Sequence, residues 1–253
     1  MTESRATMRP PSPALLLLEG RALLELAAIL PTLPLLRRAP RGDGHPVLVL
    51  PPFVASDLIT RPLRGFLRDR GYRVHGWKLG RNLGPSPELA LGMAQRLAEL
   101  RARYQRRVSL IGWSLGGVYA RELARRFPDD VRLVITLGSP FRNVDATNVP
   151  RILRELGKRR SFKAPRHDEL AAPVPVPATA IFSRTDAIAP WQSCIEDEGP
   201  MSENIEVESS HIGLGHHPVV LLTIADRLAQ PEGAWARLRP PTGWPWPFVP
   251  RCL

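Results

Sequence analysis

The hexapeptide Gly112-Trp113-Ser114-Leu115-Gly116-Gly117 places a serine among glycines, directly after the apolar run Val108-Ser109-Leu110-Ile111 and before a helical pattern. A serine on a sharp strand-to-helix turn needs small residues two positions before and two after it. Gly112 and Gly116 meet this need, because a Cβ at either position would clash within the turn. The pattern therefore predicts a nucleophile elbow, in which Ser114 attacks an electrophilic carbon.

A serine hydroxyl is a weak nucleophile near neutral pH, so it needs a base, and the base needs an orienting carboxylate. When the serine lies on such a turn, the chain order is serine, acid and then histidine. Among six histidines, His211 follows the apolar segment Ile205–Val207 in a loop rich in serine and glycine. It is the predicted base. His216 and His217 lie nearer the last helix and are the alternatives, although both are also plausible first residues of that helix.

The predicted acid is Asp186, which ends the segment Ser183-Arg184-Thr185-Asp186 directly after a predicted strand. An aspartate at this point can also serve only its own turn, by accepting backbone N–H groups. Asp145 is the second candidate for the acid, because it follows the preceding strand.

A negatively charged tetrahedral intermediate needs two fixed N–H donors, the oxyanion hole. The N–H of Leu115, the residue after the serine, is the first predicted donor. The second is expected from the loop Pro51-Pro52-Phe53-Val54, where we predict the N–H of Phe53.

Short apolar runs alternate with helical patterns from Pro46 onward. The predicted strands are Val47–Leu50, Tyr72–Trp77, Val108–Ile111, Val131–Leu137, Ala178–Ser183 and Ile205–Val207. The predicted helices run from Thr60 to Gly71, Ser86 to Tyr104, Ser114 to Phe127 and Pro218 to Ala229. Because strands joined through helices pair in parallel by right-handed crossovers, we expect an α/β fold in one domain.

Three parts are predicted: an N-terminal amphipathic helix extension (residues 1–42), the α/β domain (43–230) and a tail rich in proline and tryptophan (231–253). Residues 141–177 lack a clear strand, carry a helical pattern near Val149–Leu156 and are expected to be a lid or cap insertion. The tail is expected to lie outside the α/β domain, and its prolines exclude it from helices and central strands.

The apolar stretch from Ala14 to Leu30 is interrupted by Glu19, Arg21 and Glu25. These charges argue against a signal peptide or a membrane-spanning helix, which needs about 20 apolar residues. We expect an amphipathic helix that ends at Pro31 and Pro34 and packs on the domain, with contact to a membrane surface as the alternative. The protein is accordingly expected to be cytoplasmic, or peripheral at an anionic membrane.

The sequence resembles the α/β-hydrolase superfamily, in its esterase/lipase-like branch, over residues 45–230. The likeness rests on the elbow, Leu137-Gly138-Ser139-Pro140, the Asp186 segment with Pro190, and Ser210-His211 before the last helix. It implies a mostly parallel central sheet with helices on both faces and a small lid, a Ser114–Asp186–His211 triad, and an acyl-enzyme without metal or cofactor. Pro51-Pro52 departs from the His-Gly of such lipases, and since proline lacks an N–H that loop must follow another path.

The resemblance implies a serine hydrolase of carboxylic esters acting on a small-molecule or lipid ester. An acyltransferase or thioesterase would use the same three residues, and a non-catalytic interaction protein could retain the fold. Short-chain esters, triglycerides, lysophospholipids and polyesters all remain candidate substrates.

The 253 residues carry 35 Lys+Arg against 24 Asp+Glu, a net charge of +11 that raises the question of polyanionic partners. Aromatic residues are only 6% and the arginines are scattered along helices, so we expect no nucleic acid. Six basic residues fall in the expected lid: Arg154, Lys158, Arg159, Arg160, Lys163 and Arg166. They are predicted to form a solvated surface, or alternatively to contact anionic lipid or an acidic substrate.

Cys194 and Cys252 are too few for a disulfide framework, although a single disulfide between them is an open alternative.

Overall fold

The computed structural model describes residues 8–149, 167–239 and 250–252. Within them, one sheet is formed by the strands Pro46–Leu50 (β1), Arg73–Gly76 (β2), Val108–Trp113 (β3), Val131–Leu137 (β4), Ala178–Phe182 (β5), Ser202–Glu206 (β6) and Arg251–Cys252 (β7). The strand order is β2-β1-β3-β4-β5-β6-β7. β1 to β6 pair in parallel, and β7 pairs antiparallel with β6.

The α-helices of the described residues are Ala22–Ala27 (α1), Ile29–Leu36 (α2), Arg61–Asp69 (α3), Pro87–Tyr104 (α4), Leu115–Arg126 (α5), His167–Ala171 (α6) and Pro218–Leu228 (α7). A 3₁₀ helix, Pro13–Arg21, precedes α1. Two single 3₁₀ turns, Trp191–Ser193 and Gly213–Gly215, lie in the loops after β5 and β6.

Successive side chains of β1 point to opposite faces of the sheet, and all five of its residues are buried. Val47 and Val49 pack in one core with α2, α3 and α7, whereas Leu48 and Leu50 pack in another with α4 and α5. A strand that is apolar on both faces is the pattern of a parallel sheet covered on both sides. The predicted α/β class, with helices on both faces of a mostly parallel sheet, is confirmed.

β6 begins earlier than the sequence predicts, at Ser202, and ends at Glu206, so Val207 is not part of it. Its polar residues have partners in the core: Glu203 accepts hydrogen bonds from Thr179 Oγ1 (2.7 Å) and from Arg227 Nη1 (3.0 Å). A buried carboxylate is tolerated when it is paired and hydrogen-bonded. The predicted strand, which followed the apolar residues only, therefore overlaps just the end of β6.

The tail supplies an edge strand of the sheet, although we expected it outside the α/β domain; the exclusion of a central strand agrees with this edge position. Arg251 and Cys252 pair antiparallel with Glu206 and Ile205. An edge position needs hydrogen bonds on one side only, which suits a proline-rich segment. The Trp-Pro repeats at 244–247 lie outside the described residues. Cys194 is buried, Cys252 is exposed, and both are free thiols.

We predicted that the N-terminal helix ends at Pro31 and Pro34, and this prediction is wrong. α2 continues to Leu36 and includes both prolines, with Pro34 in its interior. Pro31 lies in the first turn of α2, where the missing N–H costs little. Burial of Leu36 in the core with α3 and α7 offsets the hydrogen bond that Pro34 removes. None of the helices in the described ranges is long and apolar enough to cross a membrane.

This N-terminal segment is amphipathic, but its polar side faces the domain and its leucine-rich side faces away from the domain. Leu17, Leu23 and Leu24 are 86%, 75% and 73% exposed, whereas Glu25 is buried against the domain. The charged residues that interrupt the apolar stretch are thus the ones that face the protein.

Part of the expected lid packs on the body of the domain. Phe141 is fully buried and contacts Val118 of α5 and Leu170 of α6. The helix predicted beyond Val149 and the six basic residues lie outside the described residues, so the lid itself stays a prediction.

Candidate active site

Ser114 lies between β3 and α5 with a φ of 53°, a left-handed conformation that is costly for a residue with a Cβ. The two predicted glycines allow this turn. A Cβ on Gly112 would overlap the backbone of the first turn of α5, and one on Gly116 would overlap the backbone at the end of β1. The Ser114 N–H donates to Leu137 O (2.8 Å), which ties the turn to the end of β4. The Ser114 side chain stays partly accessible at the start of α5.

Asp186 and His211 are in contact at the same sheet edge, after β5 and β6. His211 Nδ1 lies 2.6 Å from Asp186 Oδ2. The other carboxylate oxygen of Asp186 accepts the N–H groups of Ile188 and Ala189, each at 2.8 Å. With both oxygens engaged, the carboxylate is fixed as an acceptor and orients the imidazole.

The pKa of His211 reflects two opposing effects. Burial alone would lower it, because a charged imidazolium loses its solvation. The charge of Asp186 and its hydrogen bond to the ring outweigh burial, and the charge of Glu19 adds to them, so the pKa of His211 is raised above its ordinary 6.5. The site therefore stabilises the protonated ring that forms when a base takes a proton.

Gly138, at the end of β4, allows these groups to come close to the elbow. Its φ is +51°, and a Cβ there would lie 3.0 Å from Asp186 Oδ2 and 3.2 Å from His211 Nδ1. The sequence motif that contains Gly138 supported the family resemblance, but it gave this residue no role.

Trp113 of the elbow supports the loop that carries His211. Its Nε1 donates to His211 O (3.1 Å), and its ring leaves no room for a Cβ on Gly215. Because Trp113 is the residue before Ser114, the predicted nucleophile and base share one rigid support.

The hydroxyl of Ser114 forms no hydrogen bond with the rest of the described chain. In proteins without substrate the contact from serine to base is often long, and it tightens when substrate binds. The structure therefore brings Asp186 and His211 together and sets Ser114 at the same edge, without a direct bond from Ser114 to His211.

Within the described residues, neither of the two predicted oxyanion donors, the Phe53 N–H and the Leu115 N–H, donates a hydrogen bond to the protein. The path of the Pro51-Pro52 loop is set by Asn82, whose backbone O accepts the Val54 N–H (2.7 Å) and whose Nδ2 donates to Pro51 O (2.9 Å). No sequence motif indicates this role of Asn82.

The alternative residues are engaged elsewhere. Asp145 is exposed on the segment after β4. His216 Nε2 lies 2.9 Å from Ala22 O, and His217 caps α7 by accepting the Val219 N–H at 3.3 Å. The interpretation of His217 as a helix-start residue is confirmed.

A second Ser-His-Asp hydrogen-bond chain runs from the exposed Asp43 into the interior of the protein. His45 Nδ1 is 2.5 Å from Asp43 Oδ1, and His45 Nε2 is 2.8 Å from Ser109 Oγ. Both His45 and Ser109 are fully buried, and burial with the positive charge of Arg132 lowers the pKa of His45 to about 4. Without access for a substrate this chain can only stabilise the fold, so an accessible serine on a strained turn is what distinguishes the candidate site.

An apolar groove of about 490 Å³ lies beside the candidate site. Its walls come from α1, from the loop after β1 and from the His211 loop, and include Leu23, Leu26, Val54, Leu58, Ile59 and Ile212. Val54 and Ile212 are the direct neighbours of Phe53 and His211. The groove thus begins next to the predicted donor and base, and its volume is that of a small-molecule site.

No family model matches the chain, and no curated protein matches it by sequence. Solved structures do match. Aspergillus fumigatus lipase B has a TM-score of 0.60 at 17% identity, over 76% of this chain and 53% of the lipase, so the chain spans about half the length of that enzyme. The N-acyl homoserine lactonase AidH has a TM-score of 0.54 at 14% identity, over 79% of this chain and 94% of AidH.

The carboxylesterase CesB from Bacillus subtilis has a TM-score of 0.51 at 13% identity, over 75% of this chain and 85% of CesB. At such identities the similarity is one of fold. Together with the sheet order and the strand-to-helix turn at Ser114, it establishes that this chain has the α/β-hydrolase fold.

Proposed function

We propose that the protein is a serine hydrolase of carboxylic esters, with Ser114 as nucleophile, His211 as base and Asp186 as orienting acid. The observation that carries this proposal is the 2.6 Å contact of Asp186 with His211, at the sheet edge where Ser114 occupies its strained turn. The names of the similar structures support it, because a lipase, a lactonase and a carboxylesterase are among them.

The proposed reaction has two halves. His211 Nε2 takes the proton of Ser114 Oγ as that oxygen attacks the ester carbonyl, and Asp186 stabilises the imidazolium. The N–H groups of Leu115 and Phe53 stabilise the oxyanion, and His211 protonates the leaving alcohol. Water then gives a proton to His211 and attacks the acyl-enzyme, which releases the acid and returns the proton to Ser114.

A series of nitrophenyl esters tests this proposal. We expect a burst of nitrophenol equal to the enzyme concentration, followed by steady turnover, because nitrophenol is a good leaving group and is released faster than the acyl-enzyme hydrolyses. Added alcohol or thiol acceptors separate the alternatives, since an acyltransferase would divert most acyl groups from water and a thioesterase would prefer thioesters. A protein without burst or turnover on any ester would contradict the proposal and favour a non-catalytic role.

We further propose that the apolar groove binds the aliphatic part of the ester. Leu26 lines the groove, and a bulkier side chain there would shorten it. In Leu26→Trp, loss of two or three buried methylene contacts should lower kcat/KM for octanoate about 30-fold relative to acetate, at about 0.8 kcal/mol for each methylene. Leu91→Trp is the matched control, because Leu91 is exposed on α4. Equal losses on both esters in Leu26→Trp would place the acyl chain elsewhere.

The exposed leucines of the N-terminal segment are proposed to contact an anionic lipid surface. Leu17, Leu24 and Leu30 are 86%, 73% and 71% exposed and lie outside the lining of the groove. Two arginines lie nearby: Arg81 lines the groove, and Arg37 lines a neighbouring cavity of about 700 Å³. Their positive charge would complement the negative charge of an anionic lipid surface.

Replacing these three leucines by glutamine should weaken flotation with phosphatidylglycerol vesicles at least about tenfold, since each buried leucine contributes about 1.5–3 kcal/mol. Turnover of soluble nitrophenyl acetate should stay unchanged. Wild-type protein that fails to float with these vesicles, or that instead buries the leucines in a dimer shown by light scattering, would contradict the lipid contact.

A further inference from the structure

We infer that Glu19 and Glu25, on the N-terminal segment, are positioning residues that hold the His211 loop in place against the Asp186 loop. This inference rests on the proposed function. It extends that function by assigning two carboxylates, far away in sequence from the predicted triad, to the geometry of the base.

Glu19 connects the two loops that carry the predicted acid and base. Its Oε1 accepts the N–H of His211 (2.9 Å) and the N–H of Ala187 (3.2 Å), the residue after Asp186. Its Oε2 accepts the N–H of Ile212 (3.1 Å). One side chain therefore fixes the backbone of the base and the backbone next to the acid.

A glutamate is the side chain that this arrangement requires. Three N–H groups converge on Glu19, and an ionised carboxylate offers acceptors only. A glutamine would turn an NH₂ group toward one of these donors, and an aspartate is one methylene too short to reach both loops. Hydrogen bonds to a charged acceptor are also stronger than neutral ones.

Glu25 holds the same loop one residue earlier. Its Oε1 accepts the Ser210 N–H (2.9 Å), and its Oε2 accepts the Ser210 hydroxyl (2.5 Å). The carboxylate lies so close to Gly213 that a Cβ there would overlap it. Arg21 fixes Glu25 in turn, with Nε 3.2 Å from Oε1, and donates to Thr185 Oγ1 at 2.6 Å.

The spacing of these residues explains the reversed amphipathicity of the segment. Glu19, Ala22 and Glu25 are three residues apart, which places them on one side of a 3₁₀ helix that passes into α1. Ala22, on the same side, also contacts the domain through a polar atom, because its backbone O lies 2.9 Å from His216 Nε2. The side that faces the domain is therefore built to accept hydrogen bonds, and the leucines point away from it.

Glu19 should also affect the proton affinity of the base. The charged group in contact with the His211 ring is Asp186, and Glu19 adds a second negative charge at the loop backbone. Arg21, Glu25, His216 and His217 are further titratable groups on the surrounding elements, and the buried thiol of Cys194 interacts electrostatically with Asp186. Removal of the Glu19 charge is expected to lower the pKa of His211, whereas a residue that only supported the fold would leave it unchanged.

Glu19→Gln tests the inference, with the exposed Glu198→Gln as a control for charge. On a soluble ester we expect kcat to fall at least about tenfold with KM within about twofold, because small displacements of a catalytic group lower the rate strongly. The acid limb of kcat/KM should move to lower pH, and amide exchange at His211 and Ile212 should become faster. Glu19→Asp should not restore the rate.

Ser210→Ala and Glu25→Gln together provide a second route. Ser210→Ala removes one bond to Glu25 and also the bond from the Gly213 N–H to the Ser210 hydroxyl (2.9 Å), whereas Glu25→Gln leaves the Gly213 bond in place. If Glu19→Gln fails to fold, a lower kcat and faster exchange of the His211 loop in both of these variants would support the inference. Wild-type kcat, pH profile and exchange in folded Glu19→Gln would overturn it. An inactive wild type with fast exchange only in the variant would instead overturn the proposed function and leave the loop contact established.

Discussion

Replacing Ser114 by alanine is expected to abolish ester turnover, with kcat lower by about 10⁴ to 10⁶-fold. The variant retains the base and the oxyanion donors but has no oxygen that can form the acyl-enzyme. Residual hydrolysis would come from binding and oxyanion stabilisation alone. Because alanine keeps the Cβ of serine and the Ser114 hydroxyl has no hydrogen-bond partner within the described residues, the thermal midpoint should remain close to that of the wild type.

Ser109→Ala is the matched control for this experiment. Ser109 also lies on the β3 segment and is 2.8 Å from a histidine that contacts an aspartate, but it is fully buried. Its removal should lower stability through the lost hydrogen bond, by about 1 kcal/mol, and leave kcat within about twofold. Steady-state kinetics and thermal denaturation of both variants check the prediction. Turnover that survives in Ser114→Ala and disappears in folded Ser109→Ala would contradict the assignment of the nucleophile.

Asp186→Asn is expected to lower kcat by about 10⁴-fold while the fold is retained. The asparagine oxygen can still accept the Ile188 and Ala189 N–H groups, which turns its NH₂ toward His211 Nδ1. The imidazole must then place its proton on Nε2, the atom that should receive the serine proton. Loss of the negative charge also lowers the pKa of His211, so the acid limb of the pH profile should move to lower pH.

Asp145→Asn separates the two candidates for the acid. Asp145 is exposed and lies on the other segment, after β4. We expect its kcat and pH profile to equal those of the wild type. A large loss of kcat in Asp145→Asn, together with a nearly normal kcat in Asp186→Asn, would show that the acid is wrongly assigned.

The parts of the site that the sequence predicts well are local. The elbow is visible because its glycines, its serine and the preceding apolar strand are contiguous in the chain. The order of Asp186 and His211 follows from the strands that precede them, so the contact at the sheet edge could be expected from topology. Buried parallel strands such as β1 were equally clear, because every residue is apolar.

Long-range polar contacts were not predictable in the same way. Glu19 contacts His211 across 192 residues of sequence, and in the sequence the three charges of the apolar N-terminal stretch, Glu19, Arg21 and Glu25, indicate only interruptions of that stretch. The same reason explains β6, where the partners of Glu203 lie on β5 and α7. In each case a half-buried or buried carboxylate accepts hydrogen bonds from distant segments, and no periodic pattern in the sequence indicates such a contact.

Fluorophosphonate labelling with peptide mapping tests whether Ser114 is the activated nucleophile. The reagent reacts with a serine that a neighbouring base activates, and it does not require the natural substrate. We expect one label for each protein molecule, located on Ser114, which is lost in Ser114→Ala and slowed at low pH as His211 is protonated. A folded wild-type protein that takes no label, or takes it at another serine, would show that Ser114 is not the activated nucleophile.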